Sequence, residues 1–327
     1  MDNRGKVIAK LRAASGNFVS GQSLCDELGV SRSAVWKMIE ELRAEGYDIE
    51  AKVRSGYRLA RSPDVLDAGE LEALCGGWRF KVFDQVGSTN TLARTFADEG
   101  ESDRTIVTAR AQTGGKGRFL RRFDSAEDMG VWMSLLLCPA CGPDEGIFFT
   151  IAAAVSVNDA FEKLIGSRAG IKWVNDLMFG GKKAVGILTE ASTEGETGRL
   201  NHLVVGIGVN LAQESADFPP ELRDSATSVK MVSGKLLRRA EFIQAFTEAF
   251  DGFYQNGRIV DKAGLIETYR RDLFMLGREV EVKRLNGEGF RAKAVDIDRT
   301  GSLILQLEDG SQISLSSGEV SVRPLEI

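Results

Sequence analysis

One histidine and four cysteines in 327 residues leave little for metal or disulfide chemistry. The single histidine, His202, cannot supply the pairs or triads of multi-histidine metal sites, and a lone histidine is more often a packing residue than a base. Cys25, Cys75, Cys138 and Cys141 make no disulfide framework in a chain of this length. Cys138-Pro-Ala-Cys141 has the C-x-x-C spacing but no second ligand pair to complete a structural zinc site, so reduced cysteines at a strand end are expected. Long apolar runs are also missing. Ile151 to Val157 meets Asn158 and Asp159 far short of the roughly 20 residues a membrane span needs. Met1 to Lys10 is charged throughout and lacks the apolar stretch of a signal peptide, so a cytoplasmic protein with no membrane partner is expected. With 43% hydrophobic and 27% charged residues, the composition is globular and excludes disordered and collagen-like chains. The length predicts two or three domains.

Charge is unevenly spread. Residues 1–62 hold eleven basic and eight acidic side chains, a net of +3, which leaves −8 for the rest of a chain whose total is −5. A positive segment of this kind suits a polyanion. Val7, Ile8 and Leu11 lie at helical spacing, and Gln22 to Leu28 reads as a second helix closed by Gly29. Ser31 is a good N-cap for a third, over Arg32 to Glu45, with Val35, Met38, Ile39 and Leu42 on one apolar stripe. Tyr47 to Leu59 alternates like two strands around a turn at Ser55-Gly56. The pattern is a winged helix-turn-helix. Its third helix would present Ser31, Arg32, Ser33 and Lys37 to a major groove, and its wing would offer Lys52, Arg54 and Arg58 to phosphates. Ser62-Pro63-Asp64 then reads as a boundary.

Beyond it, strand-like runs at Thr105 to Ala109, Val131 to Leu137 and His202 to Gly206 mix with helical segments at Asn90 to Glu99, Phe148 to Ile165 and Arg239 to Asn256. There is no regular βαβ rhythm, so the class expected is α+β. From Gly277 onward, period-two segments at Arg278 to Lys283, Phe290 to Val295, Ser302 to Leu307 and Gln312 to Leu315 predict a small β-barrel. Its turns would fall at Asn286-Gly287, Thr300-Gly301 and Asp309-Gly310.

Chemistry concentrates in three places. Gln112 to Phe123 combines three glycines with Lys116, Arg118, Arg121 and Arg122, a composition that lets backbone amides and cations approach an anion. It lacks the Walker A spacing, and Gly206-Ile-Gly208 lacks the third glycine of a dinucleotide fingerprint. Lys172-Trp-Val-Asn-Asp176 and Lys182 to Leu188 read as two strands joined at Gly180-Gly181, with Asn175 and Asp176 at a strand end and Lys183 opening the return strand. A carboxylate and an amide there could hold Mg²⁺ or hydroxyl groups.

The order of these parts resembles the biotin protein ligases, in the bifunctional form that also acts as biotin operon repressor. The resemblance rests on Gly87-Ser-Thr-Asn90, Gln112 to Arg118, Lys172 to Asp176, Lys183 to Leu188 and Gly206-Ile-Gly-Val-Asn210. It implies a winged helix over 1–62, a mixed α/β catalytic domain of the biotin/lipoate ligase type over 63–275 and an SH3-like β-barrel over 276–327. It further implies that biotin is held by Ser88, Thr89, Asn90, Gln112, Gly115, Lys116, Gly117, Arg118, Lys183, Gly186 and Gly206. ATP and the adenylate would meet Lys116, Arg118, Arg121, Phe123, Asn175, Asp176 and Asn210, with Mg²⁺ on Asp176. Lys183 and Arg118 match the catalytic positions. The loop departs from the family pattern. Lys116 stands for the first arginine, Leu120 for a glycine, Phe123 for a tryptophan, and further on Val174 for a proline. Lysine keeps the charge but loses the planar fork.

The implied reaction joins biotin to ATP as biotinyl-5′-AMP and passes biotin to a lysine of the biotin carboxyl carrier protein of acetyl-CoA carboxylase. Biotinyl-5′-AMP would also act as corepressor for a homodimer on operator DNA. Two alternatives stand beside it: a lipoate-type ligase, and a ligand-sensing repressor with weak or lost ligase activity.

Overall fold

Serine hydroxyls start the helices that the N-terminal pattern predicts. The computed structural model describes residues 3–14, 16–61, 63–193, 198–284, 289–316 and 320–324. The first of two compact units runs to Phe80 and includes Arg238–Ala240. It begins with α1 (Asn3–Ala13), α2 (Gly21–Leu28) and α3 (Arg32–Ala44). Ser20 accepts from the Ser23 amide and Ser31 from the Ala34 amide, each satisfying a donor that the helix itself cannot. Gly29 ends α2 in the left-handed region at φ 66°. Val7, Ile8 and Leu11 pack against Leu24, Val35, Ile39 and Leu42 as one core. The wing is β1 (Asp48–Lys52) against β2 (Gly56–Arg61), antiparallel. Gly56, at φ 104°, sits where a Cβ would be 2.0 Å from the Val19 carbonyl oxygen, so no other residue fits that corner. A further helix, α4 (Ala68–Leu74), follows Pro63-Asp64 and gave no clear signal in the sequence.

The second unit is built on a seven-stranded sheet. It comprises β3 (Arg79–Val86), β4 (Thr105–Gln112), β5 (Gly130–Leu137), β6 (Gly170–Lys172), β7 (Asp176–Phe179), β8 (Lys182–Thr193) and β9 (Leu200–Asn210). The spatial order is β3-β4-β5-β9-β8-β7-β6. One face carries α5 (Thr89–Asp98), whose Ala93 packs with Val107, Leu136 and Val204. The other carries α6 (Gly146–Ile165), where Thr150 bonds Thr189 at 2.7 Å. Helix α6 is buried on nearly every side. Short α7 (Val229–Ser233), α8 (Arg239–Phe253) and α9 (Lys262–Asp272) complete the helices. The α8 pattern ends earlier than expected. Tyr254-Gln255 leaves the helix as β10 and pairs with Arg258-Ile259, β11.

Lys172 to Asp176 is not a strand. Lys172 pairs with Asp176 across a tight turn from β6 to β7, with a cis peptide at Trp173–Val174, and the strand that runs into Gly180-Gly181 is Asp176–Phe179. The polar Asn175-Asp176 pair therefore opens a strand and does not close one. The C-terminal segment forms β12 (Glu279–Arg284), β13 (Gly289–Ile297), β14 (Leu303–Gln306), β15 (Gln312–Leu315) and β16 (Val320–Pro324), antiparallel in the order β15-β14-β13-β12-β16. Val280, Val282, Ala294, Leu303 and Leu305 form its buried side. The turns at Gly301 and Gly310 have positive φ as their glycines suggest, and the Asn286-Gly287 turn lies outside the described residues. Among the described residues no helix is long and apolar enough to cross a membrane.

A buried carboxylate ties the first unit together. Glu70 of α4 is 2% exposed at its side chain and pairs with Arg12 of α1 and with Arg238 at 2.8 Å. It also accepts from the Tyr47 hydroxyl at 3.0 Å. Burial, reinforced by the Glu70 charge, holds the Tyr47 phenol far above the ordinary tyrosine value, so it stays a donor. Removing one partner of a buried pair strands the others. Glu70→Ala is therefore expected to destabilise this unit by about 3–5 kcal/mol. Hydrogen exchange checks it: amides of α1 and α4 should lose about two orders of magnitude of protection or more, and retained protection would contradict the assignment.

Candidate active site

The site begins with side chains that are absent. Cross-strand pairing puts Trp132, Gly208, Gly186 and Asp176 on one transverse row of the sheet, and Ser134, Gly206 and Leu188 on the next. Directly opposed residues share a face, and this face is the one that carries α5. The glycines leave a trough. A Cβ on Gly208 or Gly186 would come within 2.5 and 2.8 Å of the Phe123 ring, and one on Gly206 within 2.0 Å of Asn90 Oδ1. Phe123, from the loop after β4, lies in the trough with its ring edge-on to Trp132, centroids 5.9 Å apart. What is left open is a cavity of about 40 Å³, lined by Ser88, Gln112, Lys116 and Leu188 among others. That is room for a few waters and far short of the roughly 300 Å³ or more of an organic ligand pocket.

The polar wall of this cavity is braced internally. Gln112 Oε1 accepts from the Thr89 amide at 2.8 Å and from its hydroxyl at 3.1 Å, while Gln112 Nε2 donates to Ser125. Asn90 Oδ1 accepts from Ser134 at 2.6 Å, and its amide donates to Glu190 and the Leu188 carbonyl. Thr89, Asn90 and Gln112 thus fix one another. Ser88 caps α5 without using its hydroxyl, which stays available to the cavity. Lys116 donates to Thr91 at 2.9 Å and lines this cavity alone. Gly115 stands behind the wall, where a Cβ would be 2.3 Å from the Phe123 carbonyl oxygen.

A second cavity, of about 440 Å³, opens beside the first and shares Gly117, Arg118, Phe123, Asn175 and Lys183 with it. Arg121, Arg122, Lys172 and Asp176 line its charged part; Trp173, Phe218 and Leu222 line its apolar part. Lys183 reaches the junction through a β-bulge. Between Leu177 and Met178 the register slips by one, and the extra residue in β8 turns Lys183 onto the side of Gly186. Its ammonium stands 2.6 Å from Asp176 Oδ1 and 5.6 Å from the Phe123 ring centre. That carboxylate oxygen is buried and receives no well-aligned hydrogen bond, so it has lone pairs to offer a cation. Arg118 donates to Asn175 Oδ1 at 3.4 Å. Burial lowers its pKa from the ordinary arginine value, against the raising charges of Asp176 and Tyr269. Asn210 lines the cavity but is committed to the Thr227 carbonyl and Gln213.

Sequence reading missed Ser125, Ser134 and Glu190, which hold the wall, and Phe218, Leu222, Ser225 and Ala226, which complete the second cavity. The last two belong to a segment bonded to Lys183, whose amide donates to the Ser225 carbonyl while its own carbonyl accepts from Thr227. No local pattern marks such a segment. Cys138 and Cys141 form no disulfide, and among the described residues no three His, Cys, Asp or Glu side chains cluster as metal ligands.

In the first unit, Ser31, Arg32, Ser33 and Lys37 are exposed on one stretch of α3. Arg32 donates to Gln22 at 2.8 Å. Lys52 and Arg54 are exposed at the wing, Arg54 at φ 66° in its turn. Arg58 is committed, stacked on Phe18 and paired with Glu50.

Comparison with known proteins agrees with this arrangement part by part. Residues 3–58 match the family described as HTH domain, 82–210 the biotin/lipoate A/B protein ligase family, and 275–323 the biotin protein ligase C terminal domain. The bifunctional ligase/repressor BirA of Bacillus spizizenii is 38% identical over 311 residues, covering 94% of this chain and 95% of that protein. BirA of Escherichia coli is 28% identical over 325 residues, covering 98% and 97%. Among solved structures, the biotin protein ligase of Aquifex aeolicus in complex with biotin and ATP is 26% identical with a TM-score of 0.61, covering 75% of this chain and 98% of that one. The chain belongs to the biotin protein ligases, in the branch of bifunctional ligase/repressors.

Proposed function

We propose that this chain activates biotin with ATP, transfers it to a lysine of a biotin carboxyl carrier protein, and represses transcription from operator DNA when the activated intermediate is bound. The observation that carries the ligase reading is the junction of the two cavities at Arg118, Lys183, Asn175, Gly117 and Phe123. A carboxylate held in the smaller cavity and a triphosphate in the larger would meet there. The parts divide as residues 1–62 for DNA, 63–275 for catalysis and 276–327 for the C-terminal β-domain. The same reading puts the protein in the cytoplasm.

In the first step a carboxylate oxygen of biotin attacks the α-phosphorus of ATP, the bond to the bridging oxygen breaks, and pyrophosphate leaves. Charge builds on the phosphate oxygens, so fixed cations lower the barrier most. Lys183 and Arg118 stand where that charge develops, and the burial of Arg118 favours the arrival of an anion. In the second step a neutral lysine amine of the carrier attacks the acyl carbon, AMP leaves, and the amine loses its extra proton. Asp176 is the residue that fits a divalent cation, with further ligands coming from the nucleotide's own phosphates. Mg²⁺ would there neutralise phosphate charge.

Ser88 offers biotin a free hydroxyl and Lys116, Gly117 and Arg118 line the cavity, the Gly117 amide being committed to the Arg121 carbonyl, while Thr89, Asn90 and Gln112 shape the wall. Arg121 and Phe123 line the ATP side, where Asn210 braces the cavity. Biotin entry requires Phe123 to leave the glycine trough, because the ring fills the space above Gly186 and Gly208. Biotin-dependent exchange of pyrophosphate into ATP tests the reading against a lipoate-type ligase and against a repressor without catalysis. Only the first predicts exchange with biotin.

Lys183→Ala should lower that exchange about 10²–10³-fold, the usual loss when a preorganised transition-state donor is removed. Circular dichroism should be unchanged, since the side chain lies at a cavity edge. Near wild-type exchange would make Lys183 a bystander.

We further propose that the repressor is a homodimer on two half-sites, since a single winged helix reads few bases. Ordering of residues 114–122 around the intermediate would complete a dimer surface. A ligand shifts such an equilibrium only through differential affinity, by about 5–150-fold in typical coupled systems. Operator affinity of the full chain, measured at fixed salt with and without biotin and MgATP, should rise within that range. Equal affinities would remove the coupling.

A further inference from the structure

Most of the large apolar side chains of the first unit are inside it; Trp36, Val53 and Val65 are exposed, and of these three Trp36 alone is aromatic. Trp36 lies on α3 between Ser33 and Lys37 and is 58% exposed, whereas the chain's other three tryptophans are at most 3% exposed. Its neighbours in the helical repeat, Val35 and Ile39, carry the core contacts, so the fold gives no packing reason for an indole at this position. Among the described residues the indole N–H has no hydrogen-bond partner, although large aromatic side chains with a polar handle usually find one or mark an interface.

Charge says what should cover it. Around Trp36 the N-terminal half of α3 offers Ser31, Arg32, Ser33 and Lys37, whose side chain is 76% exposed, while the acidic residues Glu40 and Glu41 come only later along the helix. The polar and basic half is the half that enters a major groove in a helix-turn-helix. Glu40 pairs with Arg43 at 2.7 Å, and Glu41 lies 3.8 Å from Lys37, an exposed pair whose ammonium stays accessible to solvent. Within the groove an indole can do what the basic residues cannot: its apolar edge can pack on the C5-methyl group that only thymine displays.

We propose that Trp36 is a specificity-determining residue of the DNA-binding unit, reading a thymine methyl group in each half-site. The inference rests on the repressor reading above and adds to it a residue that reads sequence, where Lys37, Lys52 and Arg54 supply charge. The indole contributes contact area at a low entropic cost, with two side-chain torsions to fix. Phosphate-facing cations give affinity that is nearly blind to sequence, so the two contributions separate experimentally.

The experiment uses the full chain with biotin and MgATP. Selection from a random duplex library gives the preferred sequence of the wild type, and the half-site thymines are then replaced one at a time by uracil, which lacks the methyl group. One replacement should weaken wild-type binding about three- to ten-fold, the scale of burying one or two methyl-sized groups. Trp36→Ala should lose affinity for the selected duplex by a similar factor and become indifferent to that replacement. Its affinity for unrelated duplex, and the salt dependence of that affinity, should stay as in the wild type. Iodide quenching of tryptophan emission reads the same contact, because Trp36 is the accessible fluorophore: the selected duplex should protect it, and Trp36→Phe should remove the quenchable emission. Biotin-dependent pyrophosphate exchange equal to wild type shows that the variants are folded. Indifference of the wild type to every uracil, or tight and selective binding by Trp36→Ala, overturns the proposal. Protection of Trp36 by biotin and MgATP without DNA also overturns it, since the indole would then belong to a protein interface. A wild type that enriches no sequence removes the repressor reading itself, and this inference with it.

Discussion

The catalytic unit depends on one close approach, that of the Asn90 side chain and the Phe123 ring to bare sheet backbone. Three glycines on two adjacent strands, Gly186, Gly206 and Gly208, make it possible, because a single methyl group at any of them would overlap Asn90 or Phe123. From that approach the other features follow. Asn90 can then bond Ser134 on β5 and Glu190 on β8 at once, which fixes the start of α5 against the sheet. The loop after β4 can fold back far enough for its cations to reach the junction of the two cavities. Strand glycines are normally a weakness, costing order and packing. Here the lost side chains are replaced by parts of other elements.

A consequence is that most polar groups around the smaller cavity are already bonded to one another. Gln112, Thr89, Ser134 and Asn90 form a linked set that shapes the wall and leaves the Ser88 hydroxyl to the cavity. Such a set costs reorganisation when broken and none when left alone, which suits a site that must be shaped before its substrate arrives. Under the proposed function, the element that must move for biotin to enter is the aromatic ring in the trough. Its partner Trp132 is fully buried.

The first unit follows a different logic. Its first helices are held by an ordinary apolar core, and α4 is tied to the rest of the unit through a buried carboxylate shared by two arginines and a tyrosine. Ion pairs of that kind add less net stability than their geometry suggests, because desolvation offsets attraction, but they are intolerant of losing a member. They specify which groups sit together. On its outer side, the unit leaves an indole and a lysine exposed next to each other on one helix, an arrangement a solitary domain has no use for.

The amino-acid sequence alone specifies the helices of the first unit, through capping serines, a terminating glycine and 3.6-residue periodicity, all of which act within a few residues. It also determined the period-two strands of the C-terminal segment and the family, because glycine and charge motifs at fixed spacing are local text. Lys172 to Asp176 has the alternation of a strand yet forms a tight turn between two short ones, a distinction that alternation does not carry. The folded sheet sets which face each glycine serves, since β5 joins β9 across more than sixty residues of chain and β8 aligns on β9 in its turn. It alone turned Lys183 toward Asp176, because a bulge breaks the alternation from which side-chain direction is read. It brought Phe218, Leu222 and Ser225 to the second cavity through backbone bonds that carry no residue signature. Capping and periodicity are short-range and written in residue types; register and close approach are long-range and set by the backbone once the sheet has formed.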